Sequence, residues 1–234
     1  MNKKTIAIIL AAGDSTRARV LSGVKKQYAK IAENKTVLET TITTFAMSNA
    51  IDHIAVVIHP DDIANYSEAT FHCQSKLLPY ILGGARRQDS VLNGLRAIAE
   101  YNPKYVLIHD AARIYVDDSL IYRVVSSLSE YNAVIPAVKV SDTLKYVSAE
   151  MMVDKTLPRD NLFYAQTPQG FDYGMIKNLH ERYRDLDFTD DAALVEHDGG
   201  KVKIIESNFM NFKITINDDL NWARIVWRGL EKNI

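Results

Sequence analysis

The sequence of 234 residues is 47% hydrophobic and 24% charged, which suits one soluble domain with a full core and excludes a disordered or fibrous chain. A formal net charge of −1 gives no general attraction to nucleic acid or to an anionic membrane, so we expect neither as a partner. The apolar run at residues 6–12 is too short to cross a bilayer, and the single cysteine, Cys73, cannot form an internal disulfide. These features predict a cytoplasmic protein.

Apolar strands and amphipathic helices alternate along the first half of the chain. Runs of β-prone apolar residues predict strands at residues 5–12, 53–59, 105–109 and 133–138. Helical spacing between them predicts helices at residues 37–47, 89–100 and 119–130. This alternation indicates an α/β fold, a single Rossmann-like domain over residues 1–234 with a mainly parallel twisted sheet and helices on both faces.

Residues 139–166 interrupt the alternation. Two short β-prone pieces, 143–147 and 161–165, are separated by polar residues with no convincing helix between them. We therefore predict an antiparallel arm that protrudes from the main sheet. Beyond it the patterns predict helices at residues 173–184 and 190–196, a strand at residues 202–205 and a last helix near residues 218–230.

The loop after the first strand has the composition of a phosphate site. It begins with Ala11, Ala12 and Gly13 and continues through Arg17 to Lys26. Ligands of open α/β sheets bind outside the carboxyl ends of the strands, small residues let the backbone approach an anion, and basic side chains supply charge. The basic residues alone are equally compatible with a solvated surface loop. The loop matches neither the Walker A pattern nor GxGxxG, which disfavours ATPases and dinucleotide-binding enzymes.

Seven segments in chain order carry a resemblance to a known family. They are residues 10–13 with Arg17 and Lys26, then residues 83–91, 109–113, 142–145, 166–171, 189–192 and 211–215. Together they resemble the sugar-phosphate nucleotidyltransferases, above all the 2-C-methyl-D-erythritol 4-phosphate cytidylyltransferases. Each segment is weak evidence alone, but seven in the same order are specific, and they span nearly the whole chain.

The resemblance implies an enzyme that transfers CMP from CTP to 2-C-methyl-D-erythritol 4-phosphate, releases pyrophosphate and uses Mg²⁺. It implies catalytic roles for Arg17, Lys26 and Lys213, with Arg19 competing for the role of Arg17. Asp110 is the expected metal ligand, and one carboxylate suffices because Mg²⁺ also takes phosphate oxygens and water. The expected nucleotide-binding residues are Ala11, Ala12, Gly13, Gly84, Ala85, Ser90, Asp110 and Ala111.

The acceptor needs a second binding region, which the resemblance also implies. The expected residues are Asp142, Thr143, Arg159, Thr167, Thr189 and Lys213. In the family the arm clasps a second subunit, which implies a homodimer in which Thr143 and Arg159 are lent across the interface.

The sequence departs from the family pattern at three positions. Lys25 stands where proline is usual, Ser15 stands where a second loop glycine is usual, and Ala85 replaces a residue that is often acidic. Two alternatives stay open from the residues. One is a related cytidylyltransferase for ribitol 5-phosphate, and the other is a catalytically dead relative that only binds.

Overall fold

The computed structural model describes residues 4–13, 24–73 and 75–231. The strands in chain order are β1 (Thr5–Ala11), β2 (Lys30–Ala32), β3 (Lys35–Thr36), β4 (His53–Ile58), β5 (Ile81–Leu82), β6 (Tyr105–Asp110), β7 (Ala133–Lys139), β8 (Leu144–Val147), β9 (Val153–Leu157), β10 (Phe163–Ala165), β11 (Gln169–Asp172) and β12 (Lys203–Glu206). The helices are α1 (Val37–Met47), α2 (Ile63–Thr70), α3 (Arg87–Ala97), α4 (Asp118–Ser127), α5 (Tyr173–Arg182), α6 (Asp191–His197) and α7 (Asn217–Glu231).

The long predicted elements are confirmed, with ends that shift by at most three residues. The patterns missed α2 and the short strands β2, β3, β5, β9 and β11. Strands of two to five residues are too short to show a period, and α2 has the mixed sequence IANYSEAT. Tertiary contacts, which no local pattern reports, therefore decide these elements.

The main sheet is mostly parallel, as predicted. Its strand order is β10-β7-β11-β6-β1-β4-β5, and β12 also pairs with β7. Strand β1 lies in parallel between β4 and β6, and β5 extends the parallel set beyond β4. Strand β11 runs antiparallel between β6 and β7. The carboxyl ends of β1, β4, β5 and β6 consequently meet at one edge of the sheet.

Helices cover both faces of this sheet, because successive side chains of β1 point to opposite faces and are apolar on both. Ile6 and Ile8 pack with α3, α5 and α6 on one face. Ala7 and Ile9 pack with α1, α2 and α4 on the other. All four side chains are fully buried, and each isoleucine burial contributes roughly 1.5–3 kcal/mol. A third cluster holds α7 against β2 and the chain that follows β6. No helix within residues 4–13, 24–73 and 75–231 is both long and apolar enough to span a membrane.

The predicted arm contains an antiparallel hairpin that forms a sheet of its own. Strands β8 and β9 pair with each other, with Leu144 opposite Leu157. Tyr146, Met152 and Val153 on this hairpin are more than half exposed. Strand β10 then returns the chain to the edge of β7. The protruding β-arm of the prediction is therefore present, and it exposes apolar side chains.

Gly170 at the start of β11 should be intolerant of a side chain. A Cβ there would lie 2.5 Å from Val124 and 3.1 Å from Leu128 of the helix layer, whereas a Cβ on Gly174 would meet only Asp172 at 3.5 Å. We expect Gly170→Ala to destabilise the fold by about 1–3 kcal/mol through overpacking. Gly174→Ala, in the first turn of α5, is the matched control and should be neutral or stabilising. Urea unfolding of both variants measures this, and equal losses would contradict the packing explanation.

Candidate active site

Four parallel strands deliver residues to one cleft at the carboxyl edge of the sheet. The cleft has a volume of about 410 Å³ and opens beyond the ends of β1, β4, β5 and β6. Lys26 and Lys213 line it, and so does every residue predicted to bind the nucleotide. The predicted nucleotide-binding residues are Ala11, Ala12, Gly13, Gly84, Ala85, Ser90, Asp110 and Ala111. The structure therefore brings these predicted residues together. His59, at the end of β4, also lines the cleft and was not predicted.

The glycine pair after β5 lets two loops touch. The Gly83 N–H donates to the Ile58 carbonyl at 2.8 Å, and a Cβ on Gly83 would lie only 2.4 Å from the Cβ of Ala12. The Gly84 N–H donates to Ser90 Oγ at 3.1 Å. Ser90 thus holds the loop in shape as well as lining the cleft. Absence of a side chain at Gly83 permits the close approach of this loop to the first loop.

Adjacent lysines at the end of the first loop have different environments. Lys26 lines the cleft, and its Nζ donates to the Ile214 carbonyl at 2.9 Å. Lys25 Nζ lies 2.9 Å from the buried carboxylate of Asp62. Lys25 has φ −64° and ψ 143°, a conformation that proline also adopts. Lys25 therefore has a backbone conformation compatible with the proline expected there, and of the two lysines it is Lys26 that lines the cleft.

Gln27 joins the two ends of the first loop. Its Nε2 donates to the carbonyls of Ala11 at 2.9 Å and Gly13 at 3.1 Å. The predicted catalytic Arg17, its competitor Arg19 and the substituted Ser15 lie outside the described residues.

A second chamber of about 280 Å³ shares lining residues with the first cleft. Three of the predicted acceptor residues, Thr167, Thr189 and Lys213, line it. In the part of the chain that the structure describes, neither chamber is lined by Asp142, Thr143 or Arg159. These three belong to the arm region, where the Arg159 guanidinium donates to the Ser141 carbonyl. One protomer thus assembles only half of the predicted acceptor set.

The two chambers share three charged residues. Arg87, Asp110 and Lys213 line both of them. Lys213 Nζ lies 2.7 Å from Asp110 Oδ2, and Arg87 Nε lies 3.7 Å from Asp110 Oδ1. Burial alone would raise the pKa of Asp110, but Lys213 and Arg87 outweigh it and hold that pKa well below its ordinary value. Asp110 is therefore an ionised carboxylate where the two chambers join.

Comparison with known proteins agrees with this geometry. The family model described as "IspD: 2-C-methyl-D-erythritol 4-phosphate cytidylyltransferase" matches residues 5–228. The chain belongs to this family. It is 42% identical over 224 residues to a bifunctional enzyme IspD/IspF of Brucella anthropi, covering 94% of this chain and 54% of that protein. A bifunctional IspD/IspF of Rhodospirillum rubrum is 40% identical, with coverage of 97% and 58%. The chain spans about half the length of these curated relatives.

Solved structures of the cytidylyltransferase family have the same fold. A 2-C-methyl-D-erythritol 4-phosphate cytidylyltransferase of Thermus thermophilus superposes with a TM-score of 0.80 at 29% identity, covering 96% of this chain and 99% of that one. A 4-diphosphocytidyl-2C-methyl-D-erythritol synthase of Anaerococcus prevotii gives 0.83 at 31% identity, with coverage of 97% and 96%. The Rossmann-like fold predicted from the sequence is confirmed.

His109 and Asp190 have structural roles. His109 is fully buried between the Thr167 hydroxyl at 3.0 Å and the Arg113 carbonyl at 3.1 Å, and burial lowers the pKa of His109 to about 3. Its ring is therefore neutral near pH 7. Asp190 caps α6 by accepting the Ala193 N–H at 3.0 Å.

The donor set fits a divalent cation bound largely by a nucleotide. In the part of the chain that the structure describes, no three His, Cys, Asp or Glu side chains are grouped as metal ligands. Asp110 supplies one carboxylate to the cleft. Mg²⁺ commonly takes one or two carboxylates and completes its shell with phosphate oxygens and water. Asp110 together with a triphosphate therefore satisfies its preference.

Sequence reasoning missed a buried ion pair behind the site. Arg87 Nη2 lies 2.7 Å from Asp191 Oδ2, and His180 Nε2 lies 3.0 Å from Asp191 Oδ1. Both Arg87 and Asp191 occur within segments that carry the family resemblance, which was the available clue. Asp191 lies in the first turn of α6, and its partners were not predicted.

The Asp191 ion pair should give stability a defined pH dependence. Burial opposes its charge, but Arg87 and His180 together lower the pKa of Asp191 below the ordinary 3.8. The contribution of the charged form is thus complete above about pH 3.8 and declines as the pH falls below it, because the unfolded chain takes up the proton first. Asp191→Asn should cost about 1.5–3 kcal/mol at pH 7. Urea unfolding should show this difference shrinking in acid, and a difference that grows would contradict it.

Proposed function

We propose that the protein transfers a CMP group from CTP to 2-C-methyl-D-erythritol 4-phosphate, forming 4-diphosphocytidyl-2-C-methyl-D-erythritol and pyrophosphate. Family membership supports this activity, and so does one feature of the site. A cleft lined by the expected nucleotide-binding residues meets a second chamber at Asp110 and Lys213. Such a junction suits a reaction between two phosphorylated molecules. A cytoplasmic location is part of the same proposal.

The reaction needs charge neutralisation and alignment more than a protein nucleophile. An oxygen of the acceptor phosphate attacks the α-phosphorus of CTP, and the bond from that phosphorus to the bridging oxygen breaks as pyrophosphate leaves. Lys26 faces the cleft from the first loop, and Lys213 faces both chambers. Both cations can stabilise the negative charge that builds up between the reactants. Arg17 completes the proposed catalytic set.

Mg²⁺ is the proposed cofactor, and Asp110 is the residue that would hold it. When bound, the cation would neutralise triphosphate charge and make the α-phosphorus more electrophilic. The ionised state of Asp110 supports this assignment, since a carboxylate must be deprotonated to act as a ligand.

A homodimer is proposed because one protomer leaves the acceptor chamber incomplete. Asp142, Thr143 and Arg159 are predicted acceptor residues, and they belong to the arm region rather than to the chamber lining of the same chain. The exposed apolar side chains of the β8–β9 hairpin support an intersubunit role for the arm. In this proposal Thr143 and Arg159 reach the acceptor of the second subunit.

The proposed activity is tested by the release of pyrophosphate from a panel of nucleotides and acceptors. CTP with methylerythritol phosphate should give the highest kcat/KM, because the loop at residues 83–91 resembles a cytosine-binding segment. Ribitol 5-phosphate is the matched acceptor control, and UTP and ATP are the nucleotide controls. Equal turnover of ATP or UTP would reject the cytidylyl assignment, and a preference for ribitol 5-phosphate would reject the acceptor.

Replacing Lys26 should damage catalysis more than replacing Lys25. Lys26→Ala should lower kcat by about 10²–10³-fold with a smaller change in KM, because it removes charge stabilisation from the transition state. Lys25→Ala is the control, since Lys25 pairs with Asp62 on the adjoining segment. Steady-state kinetics compares the two variants. A larger loss in Lys25→Ala would assign the catalytic role to Lys25 instead.

Subunit mixing tests the exchange of the arm. Arg159→Ala and Lys213→Ala should each be inactive alone, yet an equal mixture should recover about a quarter of wild-type activity, since half the dimers are hybrids with one intact site of two. Lys26→Ala mixed with Lys213→Ala should recover nothing, because those lysines line the same cleft of one chain. Failure of the first mixture despite confirmed subunit exchange would reject an arm shared between subunits.

A further inference from the structure

Arg87 joins the active site to the protein interior, and no step proposed above uses it. It begins α3 and lines both chambers. Its guanidinium faces two carboxylates: Nη2 lies 2.7 Å from Asp191 Oδ2, and Nε lies 3.7 Å from Asp110 Oδ1. The planar fork of an arginine can hold two such partners in fixed directions.

The interior end of this connection is rigid. The Asp191 side chain is 1% exposed, and its Oδ1 lies 3.0 Å from Nε2 of the fully buried His180. The N–H groups of Asp191 and Ala192 both donate to Gln169 Oε1 at 3.2 Å. Helix α6, helix α5 and strand β11 therefore fix the position of Asp191 together. Arg87 is anchored to a carboxylate that cannot move independently of the fold.

At the exposed end of this connection, the two oxygens of the Asp110 carboxylate face different cations. Arg87 is the fixed cation, and Lys213 is the exchangeable one. Lys213 holds Oδ2 at 2.7 Å, is 36% exposed and lies on the loop before α7. A lysine is a point charge on a flexible stem, so Lys213 can leave Asp110 for a substrate phosphate. Arg87 faces the other oxygen, Oδ1, at 3.7 Å, and its guanidinium is paired with the buried Asp191 at 2.7 Å.

We propose that Arg87 is a positioning residue, which keeps the Asp110 carboxylate in place when Lys213 moves to a phosphate. This inference rests on the proposed transfer reaction. It assigns Arg87 an action through Asp110 and no direct contact with a reacting atom. A purely structural Arg87 would only neutralise the buried Asp191, a task that any cation at this position could perform.

The variant Arg87→Lys separates these two roles. It retains the charge that neutralises Asp191, but a single ammonium cannot replace a fork that faces two carboxylates. We expect kcat to fall roughly 10²-fold, the scale of a misplaced catalytic group, and the Kd for CTP, measured calorimetrically without acceptor, to change by a clearly smaller factor. Arg96→Lys is the matched control, because Arg96 lies on the same helix and pairs with Glu181 at 3.6 Å on the surface. It should keep wild-type kinetics.

Chemical rescue supplies a second readout. Arg87→Ala should regain at least about tenfold in kcat with millimolar guanidinium, since the free ion can occupy the space between the two carboxylates. Arg96→Ala with the same salt controls for general effects. A kcat of Arg87→Lys within threefold of wild type would overturn the proposal, and so would an Arg87→Ala variant that is folded but not rescued.

Crystal structures distinguish failure of this inference from failure of the proposed reaction. In Arg87→Lys the Asp110 carboxylate should rotate away from its wild-type position or adopt two orientations, whatever substrate the wild-type enzyme turns over. An Asp110 carboxylate that keeps a single wild-type orientation in Arg87→Lys overturns the positioning role. A wild-type enzyme inactive with every CTP and acceptor pair would instead reject the proposed reaction.

Discussion

Asp110 is a carboxylate that is largely enclosed by protein, and it stays ionised because cations face it. The site depends on this compensation of charge. The Asp110 side chain is 13% exposed and ends β6, so the charge lies at the carboxyl edge of the sheet beside the first loop. Arg87 belongs to the first turn of α3, and Lys213 to the chain before α7. Three distant segments must therefore fold together before the charge is compensated, which couples formation of the site to formation of the whole domain.

The carboxyl edge of the sheet could be predicted from the sequence, because the apolar pattern that marks each long strand is local. The apolar runs of β1, β4 and β6 are long enough to show that both faces are buried, and residues that follow such strands are placed at the carboxyl edge by topology alone. Ala12 and Asp110 were identified in this way together with the family resemblance. Gly84 follows β5, which the patterns missed, and was identified from the resemblance alone; all three residues line the cleft.

The rest depends on contacts between residues far apart in the chain. Arg87 and Asp191 are 104 positions apart, and the hydrogen bond between them leaves no periodic pattern in either segment. The short strands β5 and β11 exist because a neighbouring strand offers them hydrogen bonds, not because of their own propensity. The contacts that distinguish Lys25 from Lys26 also needed the structure, since the partners of these lysines, Asp62 and Ile214, come from different parts of the chain.

The reversed direction of β11 brings a later part of the chain to the carboxyl edge of the sheet. Because β11 runs against β6, it is its first residue, Gln169, that reaches the carboxyl edge beside Ile108. The first cleft is lined by residues up to position 112 and by residues of the segment 213–215. Most of the residues that line the second chamber come instead from positions 165–190. Under the proposed function, recognition of the donor and of the acceptor would thus lie in nearly separate parts of the chain. A graft of residues 139–190 from a relative with another acceptor would then offer a route to other products while the first cleft stays unchanged.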